Sequence, residues 1–495
     1  MKIEDLLVLQ NGSDIRGVAM DGVDGEKVNL TQEVVMKIGY AFAQWLMNRI
    51  QKSRLAIAVG RDSRLTGKVL AEAITKGLVS KGSTVYDCGI STTPAMFMTT
   101  LDKDIDCDGA IMVTASHLPF NRNGMKFFTR DGGLNKEDIT AILELAYSVE
   151  TTFTLGGQSN KIDYIEVYAG SIVEKIRKKI GEKQPLLGTH IVLDAGNGAG
   201  GFFDEMVLRP LGANTAGSQF LEPDGHFPNH VPNPEDPQAV ESISRAVLEN
   251  KADMGIIFDT DVDRAAIIDE KGQPINRNRF IAFIAKIVLE NYPGTCIVTD
   301  SITSTGLTAY IEALGGKHHR YKRGYRNVIN EAIRLNEAGT ETHLAMETSG
   351  HGAMKENYFL DDGAYLVTLA LIRYAQFNKD GMRLSQVLAD LKEPAEEKEI
   401  RIQVTAKDFK AYGDKVLKAF TEFVEAQEGA TLVQPNYEGV RVNWDKNNGN
   451  GWCLLRLSLH DPLLPLNIES DEVGGVAIIE KHLQKFFEQW DELKF

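Results

Sequence analysis

The sequence predicts a fold of several α/β domains, and three observations lead to this prediction. The chain has 495 residues, which is enough for about three to five domains with ample core. Short apolar runs typical of buried strands alternate with helix-like segments, as in residues 55–59 and 68–80. Three stretches, around residues 110–116, 254–264 and 343–351, carry such a run into a polar loop, which indicates a repeated unit.

Composition suggests where these units meet. The polar, Gly-containing stretch 150–161 predicts a linker after the first unit, and further boundaries are expected near residue 272 and at 392–396. The last unit differs in type, because residues 409–424 are typical of a helix and 440–459 of strands. We expect this last unit to be an α+β domain.

Composition also excludes several classes of protein. The formal net charge of −15 argues against nucleic acid as a partner. Cys88, Cys107, Cys296 and Cys453 have neither metal-ligand nor disulfide spacing, which suits a reducing compartment. The sequence opens without a signal-peptide pattern, and no apolar run approaches the roughly 20 residues that span a bilayer. We therefore expect a cytoplasmic protein that has no membrane contact.

The first functional segment is Thr114–Pro119. The apolar run 110–113 places Ser116 on a turn, with His117 beside it and Lys126 ten positions later. A serine that carries a phosphoryl group needs a rigid support, a proton partner and a cation for the phosphate charge. The segment alone fits a simple turn after a strand equally well. Ser116 is therefore a candidate nucleophile that needs support from the rest of the chain.

The second functional segment, 259–264, follows a strand-like apolar run. Aspartates at every second position project to the same side of an extended chain. Asp259, Asp261 and Asp263 would repel one another unless a cation lay between them, and carboxylate oxygens suit Mg²⁺. A partly open Mg²⁺ site can accept a phosphate oxygen, and Arg264 is placed to neutralise the same phosphate.

An acidic segment of this kind is also found in three other kinds of structure. A solvated acidic turn is the usual fate of a run of charges. An EF-hand loop would use Glu270 at its twelfth position, but its sixth position needs Gly and is Arg264 here. A phosphatase of the haloacid dehalogenase type also places D-x-D after a strand, but it has Thr or Val where this chain has Asp263. Metal binding is the interpretation that the pattern favours.

Four segments, in order along the chain, resemble the motifs of the α-D-phosphohexomutases. Those motifs are T-A-S-H-N-P for the phosphorylated serine, D-G-D-x-D-R for the metal, G-E-x-S-G-H for the sugar and R-P-S-G-T-E-P for a phosphate. The chain matches them within 114–119, 259–264, 346–351 and 456–462. Its departures from them include Leu118, Thr260, Met346, His460 and Asp461.

Shorter matches extend the resemblance over nearly the whole chain, at 11–17, 59–64 and 194–200. The resemblance implies a heart-shaped architecture of three similar α/β domains and a C-terminal α+β domain around a central cleft. The expected domains are 1–155 with the phosphoserine loop, 160–272 with the metal loop, 273–392 with the sugar loop and 395–495 with the phosphate loop.

The resemblance also implies a function. We expect a mutase that interconverts hexose 1-phosphate and hexose 6-phosphate through a phosphoserine and a hexose 1,6-bisphosphate, which is also its activator. We expect it to be a monomer or a homodimer. Because His351 follows a Ser-Gly pair, the sugar loop resembles those of phosphomannomutase/phosphoglucomutase and phosphoglucosamine mutase rather than that of glucose-specific enzymes, and we expect phosphomannomutase/phosphoglucomutase. Phosphoglucosamine mutase is the alternative, followed by a non-catalytic sugar-phosphate-binding paralogue and a phosphatase.

Roles for individual residues follow from the matched motifs. The implied metal ligands are Ser116, Asp259, Asp261 and Asp263, with Mg²⁺ as the ion. The implied catalytic residues are Ser116, Lys126, Arg16 and His351. The implied substrate-binding residues are Arg264, Glu347, Ser349, His351, Arg456, Ser458 and His460. A carboxylate and a hydroxyl two positions apart can bridge sugar hydroxyls, and an arginine with nearby hydroxyl donors suits a phosphate.

Overall fold

The computed structural model describes residues 2–149, 156–458 and 461–494. The chain divides into two compact units, each assembled from two stretches of sequence. The first unit comprises Met1–Phe280 and Ser349–Val387, and the second comprises Ile281–Thr348 and Leu388–Phe495. None of the helices in the described ranges is both long enough and apolar enough to cross a bilayer.

The N-terminal part of the first unit is built on a mixed sheet. Its strands are β1 (Gln10–Asn11), β2 (Asp14–Val18), β3 (Ala56–Arg61), β4 (Thr84–Ile90), β5 (Gly109–Val113), β6 (Arg122–Thr129), β7 (Gly132–Gly133) and β8 (Gln158–Lys161). Their spatial order is β1-β2-β6-β5-β3-β4-β8, and β7 pairs with β6. Strands β5, β3, β4 and β8 are parallel, whereas β6 is antiparallel to both β5 and β2.

Strand β8 corrects the linker that composition predicts at 150–161. Its residues pair in parallel with β4, from Gln158 opposite Thr84 to Lys161 opposite Asp87. The rest of the predicted linker, 150–155, lies outside the described residues. The prediction was wrong for 158–161 because all four side chains of this edge strand are exposed, so it lacks the apolar alternation that marks a half-buried strand.

Five helices accompany this sheet: α1 (Ile3–Leu7), α2 (Gln32–Ile50), α3 (Gly67–Ser80), α4 (Thr93–Met98) and α5 (Lys136–Ser148). Helix α2 begins after Thr31, whose side chain accepts a hydrogen bond from the Val34 amide, and it ends at Gln51 in the left-handed conformation. Helix α2 packs against α3 and α5, and its Phe42 is buried beside Phe127 of β6. This core supports the sheet, and Ser116 lies in the loop that follows its strand β5.

A second, four-stranded sheet follows in the first unit. Its elements are α6 (Tyr164–Ile180), β9 (Ile191–Asp194), a π-helical turn (Asp204–Leu208), α7 (Pro237–Asn250), β10 (Met254–Phe258), β11 (Ala265–Asp269) and β12 (Pro274–Ile275). The spatial order is β12-β11-β10-β9, with β9 and β10 parallel and the other pairs antiparallel. Strands β10 and β11 form a hairpin, so the segment 259–264 is its loop.

Helix α8 (Arg277–Asn291) leads into the second unit, where β13 (Cys296–Thr299), β14 (Lys317–Arg320) and β15 (Thr342–Met346) alternate with α9 (Thr305–Ala313) and α10 (Tyr325–Glu337). The three strands are parallel, with β13 between β14 and β15. The loops that follow these three strands begin at Asp300, Tyr321 and Glu347, all at the same end of the sheet. Ligands commonly bind at this end of parallel strands.

The chain returns to the first unit through the hairpin β16 (Gly352–Met354) and β17 (Leu360–Asp361) and the helix α11 (Gly363–Asn378). Helix α11 packs against α6 and β11, and nearly all of its residues are buried. Its tight approach to the metal loop needs a glycine, because a Cβ on Gly363 would lie 2.6 Å from the backbone of Arg264.

The C-terminal part of the second unit is α+β in type, as the sequence predicts. Its elements are β18 (Glu396–Val404), α12 (Phe409–Glu425), β19 (Ala430–Leu432), β20 (Val440–Trp444), β21 (Gly451–Leu455), β22 (Leu463–Ser470), α13 (Gly475–Phe487) and β23 (Leu493–Lys494). The sheet order is β19-β20-β21-β22-β18-β23, and every pair is antiparallel. Both helices bury an apolar stripe against this sheet.

Candidate active site

Ser116 lies three residues beyond the end of β5, in the loop at the C-terminal ends of the parallel strands of the first sheet. Its backbone is in the left-handed region, with φ of +50°, and its amide donates to the Thr114 hydroxyl at 2.9 Å. The residue is 9% exposed. A non-glycine residue in this conformation persists only when the surrounding structure holds it, which is common at functional sites.

A buried arginine, Arg64, supplies much of that support. Its guanidinium donates to the carbonyl groups of Ser116, Leu118, Pro119 and Arg122. Asp62 pairs with Arg64 at 3.4 Å and accepts from the Thr114 hydroxyl at 2.7 Å. The 59–64 segment, which the sequence matched to the family, therefore contributes a buried ion pair that holds the serine loop.

The backbone of the metal loop differs from the extended chain that the sequence predicts. Asp259, Asp261 and Asp263 were expected to share one side of an extended chain. They are instead the residues of a hairpin loop in which Val262 takes the left-handed conformation, with φ of +67°. The outcome is the same, because oxygens of all three carboxylates lie within 4.8 Å of one another.

The serine loop and the metal loop meet at the Ser116 hydroxyl. Its Oγ lies 3.0 Å from Asp259 Oδ2 and accepts a hydrogen bond of 3.0 Å from Arg264 Nη2. The same Nη2 donates to His117 Nδ1 at 2.8 Å, so the lone pair of that nitrogen is already used. Burial, followed by the Arg264 charge, lowers the pKa of His117 to about 3. The Ser116 hydroxyl donates to Asp259 in this structure and lies 3.3 Å from His117 Nδ1, so the role of His117 as its proton partner stays a prediction.

Two cations predicted from the sequence lie on adjacent strands beside this point. Lys126 on β6 donates to Asp263 Oδ2 at 2.9 Å. Arg16 on β2 donates to the Thr114 carbonyl and, at 2.9 Å, to Asp14 Oδ2. Arg16 pairs across the sheet with Gly124, where any Cβ would lie 2.1 Å from a backbone oxygen. Asn123 and Gly124 therefore do not form a turn. They lie within strand β6, where it closely approaches β2.

His351 also lies at this site. The backbone of His351 pairs with that of Arg264, and its Nδ1 lies 2.5 Å from Asp361 Oδ2 and 3.9 Å from Asp263 Oδ1. Burial opposes protonation of the ring, but the charges of Asp361 and Asp263 outweigh it and raise the pKa of His351 to about 9. His351 therefore carries a proton at neutral pH. Ser349 lies half-buried in the turn just before it.

The three loop carboxylates fit a cation. Burial raises the pKa of Asp259 well above its ordinary value and also raises that of Asp261, and the charge of Asp263 adds to both shifts. The Lys126 charge lowers the pKa of Asp263, against the effect of burial. Among the residues that the structure describes, none donates a hydrogen bond to Asp261 Oδ1 or Asp263 Oδ1. Buried anionic oxygens without donors are costly unless a cation binds them.

The remaining predicted residues belong to the second unit. Glu347 follows β15, and its Oε1 accepts from the Gly324 amide at 2.6 Å. Arg456 and Ser458 follow β21, and their amides donate to the backbone of β22 and the residues beside it, at 3.1 and 2.9 Å. Within the described ranges, the buried Nε of Arg456 has no acceptor. His460 lies outside the described residues.

Sequence reasoning missed several partners of these groups. Asp361 pairs with His351, Thr93 donates to Asp261 Oδ2 at 2.5 Å, and Asn233 accepts from Arg264 at 3.1 Å. Thr93 and Asn233 lie far along the chain from the groups that they contact, whereas Asp361 is only ten residues from His351.

Comparisons with known proteins agree with this geometry. Three family profiles described as phosphoglucomutase/phosphomannomutase, alpha/beta/alpha domains I, II and III, match residues 8–152, 166–272 and 276–394. The matched residues include the serine loop, the metal loop and the Glu347–His351 segment.

Relatives match over most of their length. Phosphomannomutase/phosphoglucomutase of Pseudomonas putida is 32% identical over 438 residues, which cover 87% of this chain and 88% of that protein. Phosphoglucomutase of Neisseria gonorrhoeae is 30% identical over 478 residues, with 96% and 95% coverage. A crystal structure of a phosphoglucomutase/phosphomannomutase family protein from Burkholderia thailandensis superposes with a TM-score of 0.78 at 26% identity, covering 99% of this chain and 98% of that chain.

Proposed function

The chain belongs to the phosphoglucomutase/phosphomannomutase family of hexose-phosphate mutases, and from that premise we propose that it moves a phosphoryl group between O1 and O6 of a hexose through a phosphoserine at Ser116. The observation that carries the proposal is the environment of that hydroxyl. A buried serine oxygen lies 3.0 Å from both a carboxylate, Asp259, and a guanidinium, Arg264. The guanidinium can stabilise the charge of a phosphoryl group on this oxygen, and the carboxylate can help to hold a cation beside it.

The reaction divides into two transfers at Ser116. In the first, the bond from Oγ to phosphorus breaks and a bond from the free hydroxyl of the hexose monophosphate to phosphorus forms, which gives a hexose 1,6-bisphosphate. In the second, the other phosphoryl group returns to Oγ, and the opposite monophosphate leaves. Glucose 1,6-bisphosphate acts as an activator because it can load an unphosphorylated Ser116.

Charge at the transferring phosphoryl group is managed by the residues around Ser116. Arg264 already donates to Oγ, and we assign charge neutralisation and proton transfer to Lys126, Arg16 and the protonated His351. Asp259, Asp261 and Asp263, together with Ser116, would hold Mg²⁺, and the chemistry that this ion supplies when bound is neutralisation of phosphate charge.

Substrate recognition is assigned to the later segments. Glu347 and Ser349 are the groups that would grip the sugar hydroxyls, and Arg456 with Ser458 would bind the phosphate that is not transferred. The unused Nε of Arg456 supports this assignment. We also propose His460 for this phosphate on the basis of its place in the sequence. We further propose the four-domain division at 1–155, 160–272, 273–392 and 395–495, except that strand β8, which pairs with β4, extends the first domain to Lys161. The three family profiles support the first three domains.

The sugar is tested by coupled assays on glucose 1-phosphate, mannose 1-phosphate and glucosamine 1-phosphate with Mg²⁺ and glucose 1,6-bisphosphate. We expect glucose and mannose phosphates to turn over at comparable rates, as the relatives' names suggest, and glucosamine phosphate more slowly. A strong preference for glucosamine 1-phosphate would contradict this choice of sugar. Release of inorganic phosphate without isomerisation would contradict the mutase reaction.

A further inference from the structure

In the second unit, the segment 437–439 lies immediately before β20 and contacts two other parts of the chain. One is the loop after β14, where the ring of Tyr321 lies 5.1 Å from that of Tyr437. The other is Arg456 at the end of β21. Nothing in the proposed function assigns a role to this segment.

Glu438 ties the segment to the loops that follow two parallel strands. Its Oε2 accepts from the Arg323 amide at 3.1 Å and also from the Ser301 hydroxyl. Ser301 follows β13, and its carbonyl accepts from the buried Arg441 of β20 at 2.7 Å. One carboxylate oxygen therefore fixes the position of the Arg323 backbone relative to the start of β20.

Gly439 brings the same segment against Arg456. Its φ is +58°, and a Cβ there would lie 2.9 Å from Arg456 Cα and 2.2 Å from the Leu455 carbonyl oxygen. No side chain fits in that space, so the backbone next to Glu438 packs directly on the backbone of Arg456. A shift of Glu438 would consequently be transmitted to both arginines.

Both arginines are tied to this one short segment, since the Arg323 amide donates to Glu438 and the backbone of Arg456 packs on Gly439. Besides burial, the Arg323 charge lowers the pKa of Arg456, and the Glu438 carboxylate acts in the opposite direction. Adjacent guanidinium groups repel each other unless the backbone holds them or an anion lies between them. A phosphate monoester, which carries up to two negative charges, is the ligand that such a pair suits.

We propose that Glu438 is a positioning residue for the substrate: it holds Arg323 beside Arg456, so that the two arginines form one site for the phosphate monoester of a hexose phosphate. This inference rests on the proposed function, which assigns a phosphate to Arg456, and it adds Arg323 to that assignment. Glu438 itself acts through the backbone of its neighbours and does not touch the phosphate.

The test compares Glu438→Ala and Glu438→Gln with Glu399→Gln, which removes another carboxylate whose charge acts on Arg456 but which ties no loop to it. We expect Glu438→Ala to raise KM for glucose 1-phosphate about tenfold, as loss of a charged hydrogen bond does, with kcat within about twofold. Glu438→Gln keeps an acceptor oxygen and should give a smaller increase. Glu399→Gln should leave both constants unchanged. Thermal unfolding checks each fold, and Glu438→Gln decides the test if the alanine variant does not fold.

Two results would overturn the inference. An unchanged KM in the Glu438 variants would mean that the segment does not position the arginines. A lower KM in Glu438→Gln would mean that the carboxylate competes with phosphate instead.

Arg323→Ala should raise KM as much as Glu438→Ala, and the double variant should add little. If the parent has no mutase activity, the proposed function fails, and calorimetric binding of glucose 6-phosphate to the same variants then decides whether the arginine pair binds phosphate.

Discussion

Two regions of this molecule handle phosphate chemistry in opposite ways. The serine–aspartate site comprises Ser116, Asp259, Asp261, Asp263, Arg264 and Lys126. The arginine site comprises Arg323, Glu438 and Arg456. In the first, Lys126 pairs with Asp263 at 2.9 Å and Arg264 with Asp259 at 3.1 Å, while two aspartate oxygens that have no donor among the described residues suit a cation. In the second, backbone contacts hold Arg323 and Arg456 against the segment 437–439, and the buried Nε of Arg456 has no acceptor within the described ranges.

The two sites differ because one holds reacting groups and the other binds a ligand. A group that reacts must be held in one geometry before substrate arrives, because preorganised charges need no rearrangement during transfer. A group that grips a ligand must instead keep its hydrogen-bonding capacity free until the ligand supplies the acceptors. Substitutions in the serine–aspartate site should therefore reduce kcat, whereas those in the arginine site should raise KM.

The largest effect is expected from Ser116→Ala. We expect mutase activity to fall by about 10³-fold or more, because the covalent step has no other nucleophile. The fold should persist, since alanine tolerates the left-handed backbone about as well as serine does. Ser91→Ala, which removes another buried hydroxyl in the same unit, is the control and should retain full activity. Comparable activity in the two variants would break the contrast at its strongest point.

The next effect concerns the metal loop. Mg²⁺ should raise the melting temperature of the parent, because an ion that binds only the folded state stabilises it. Asp261→Asn should abolish that shift and reduce kcat by about 10²-fold. Without Mg²⁺, the variant should be more stable than the parent, since one of three repelling carboxylates is gone. Differential scanning calorimetry with and without Mg²⁺ measures this, and the exposed Asp104→Asn is the control. An identical Mg²⁺ shift in both variants would contradict the metal assignment.

A smaller change, and one in KM, is expected for Arg456→Ala. Loss of a charged hydrogen bond to phosphate is worth about 1.5–3 kcal/mol, which corresponds to an increase in KM of about 10- to 150-fold. The melting temperature should stay the same or rise slightly, because burial of this guanidinium is not offset by an acceptor at Nε. Arg401→Ala, on the exposed side of β18, should change neither. A loss confined to kcat would place Arg456 with the reacting groups instead.

The smallest effect is expected at a buried pair of the same unit, His230 and Asp194, whose atoms lie 3.0 Å apart. Burial opposes protonation of His230, but the Asp194 carboxylate raises its pKa. Its contribution is therefore complete below pH ~6.5 and is lost as pH rises through the raised pKa. Between pH ~6 and ~9, the free energy of unfolding should fall by about 1 kcal/mol more in the parent than in His230→Gln.

The control for this comparison is the second His–Asp pair of the same unit. His226 and Asp224 lie 2.9 Å apart but are exposed, and exposed pairs contribute little to stability. His226→Gln should consequently keep the pH dependence of the parent. Urea unfolding at both pH values measures the three proteins. If His230→Gln also kept the slope of the parent, burial would not strengthen such a pair here.

Much of the serine–aspartate site was predictable because its signals are local. Ser116 and the three aspartates each follow an apolar strand, so the spacing of the aspartates indicates a metal loop and the order of the four motifs indicates the nucleophile. The sequence did not reveal that the Ser116 hydroxyl donates to Asp259, or that Arg264, 147 residues from His117, donates to the histidine nitrogen. The contact between Asp361 and His351 depends on a hairpin, and no pattern in either residue's neighbourhood announces it.

The fold was predictable to a similar degree and for the same reason. Alternation of apolar runs with helices gave the α/β class, and the change of pattern after residue 395 gave the α+β end. Strand β8 was missed because an exposed edge strand has no apolar signature. Glu438 was missed because its importance comes from the loops that it touches rather than from its own surroundings in the sequence.

The central claim is that Ser116 carries the phosphoryl group between turnovers. The most direct measurement is peptide mass spectrometry of the parent protein after incubation with glucose 1,6-bisphosphate, and again after addition of excess glucose 1-phosphate. We predict one added phosphoryl group, located on Ser116, in the first sample and a reduced amount in the second, as the group passes to substrate. An unphosphorylated Ser116 in a protein that turns over glucose 1-phosphate, or a phosphoryl group on another residue, would contradict the account.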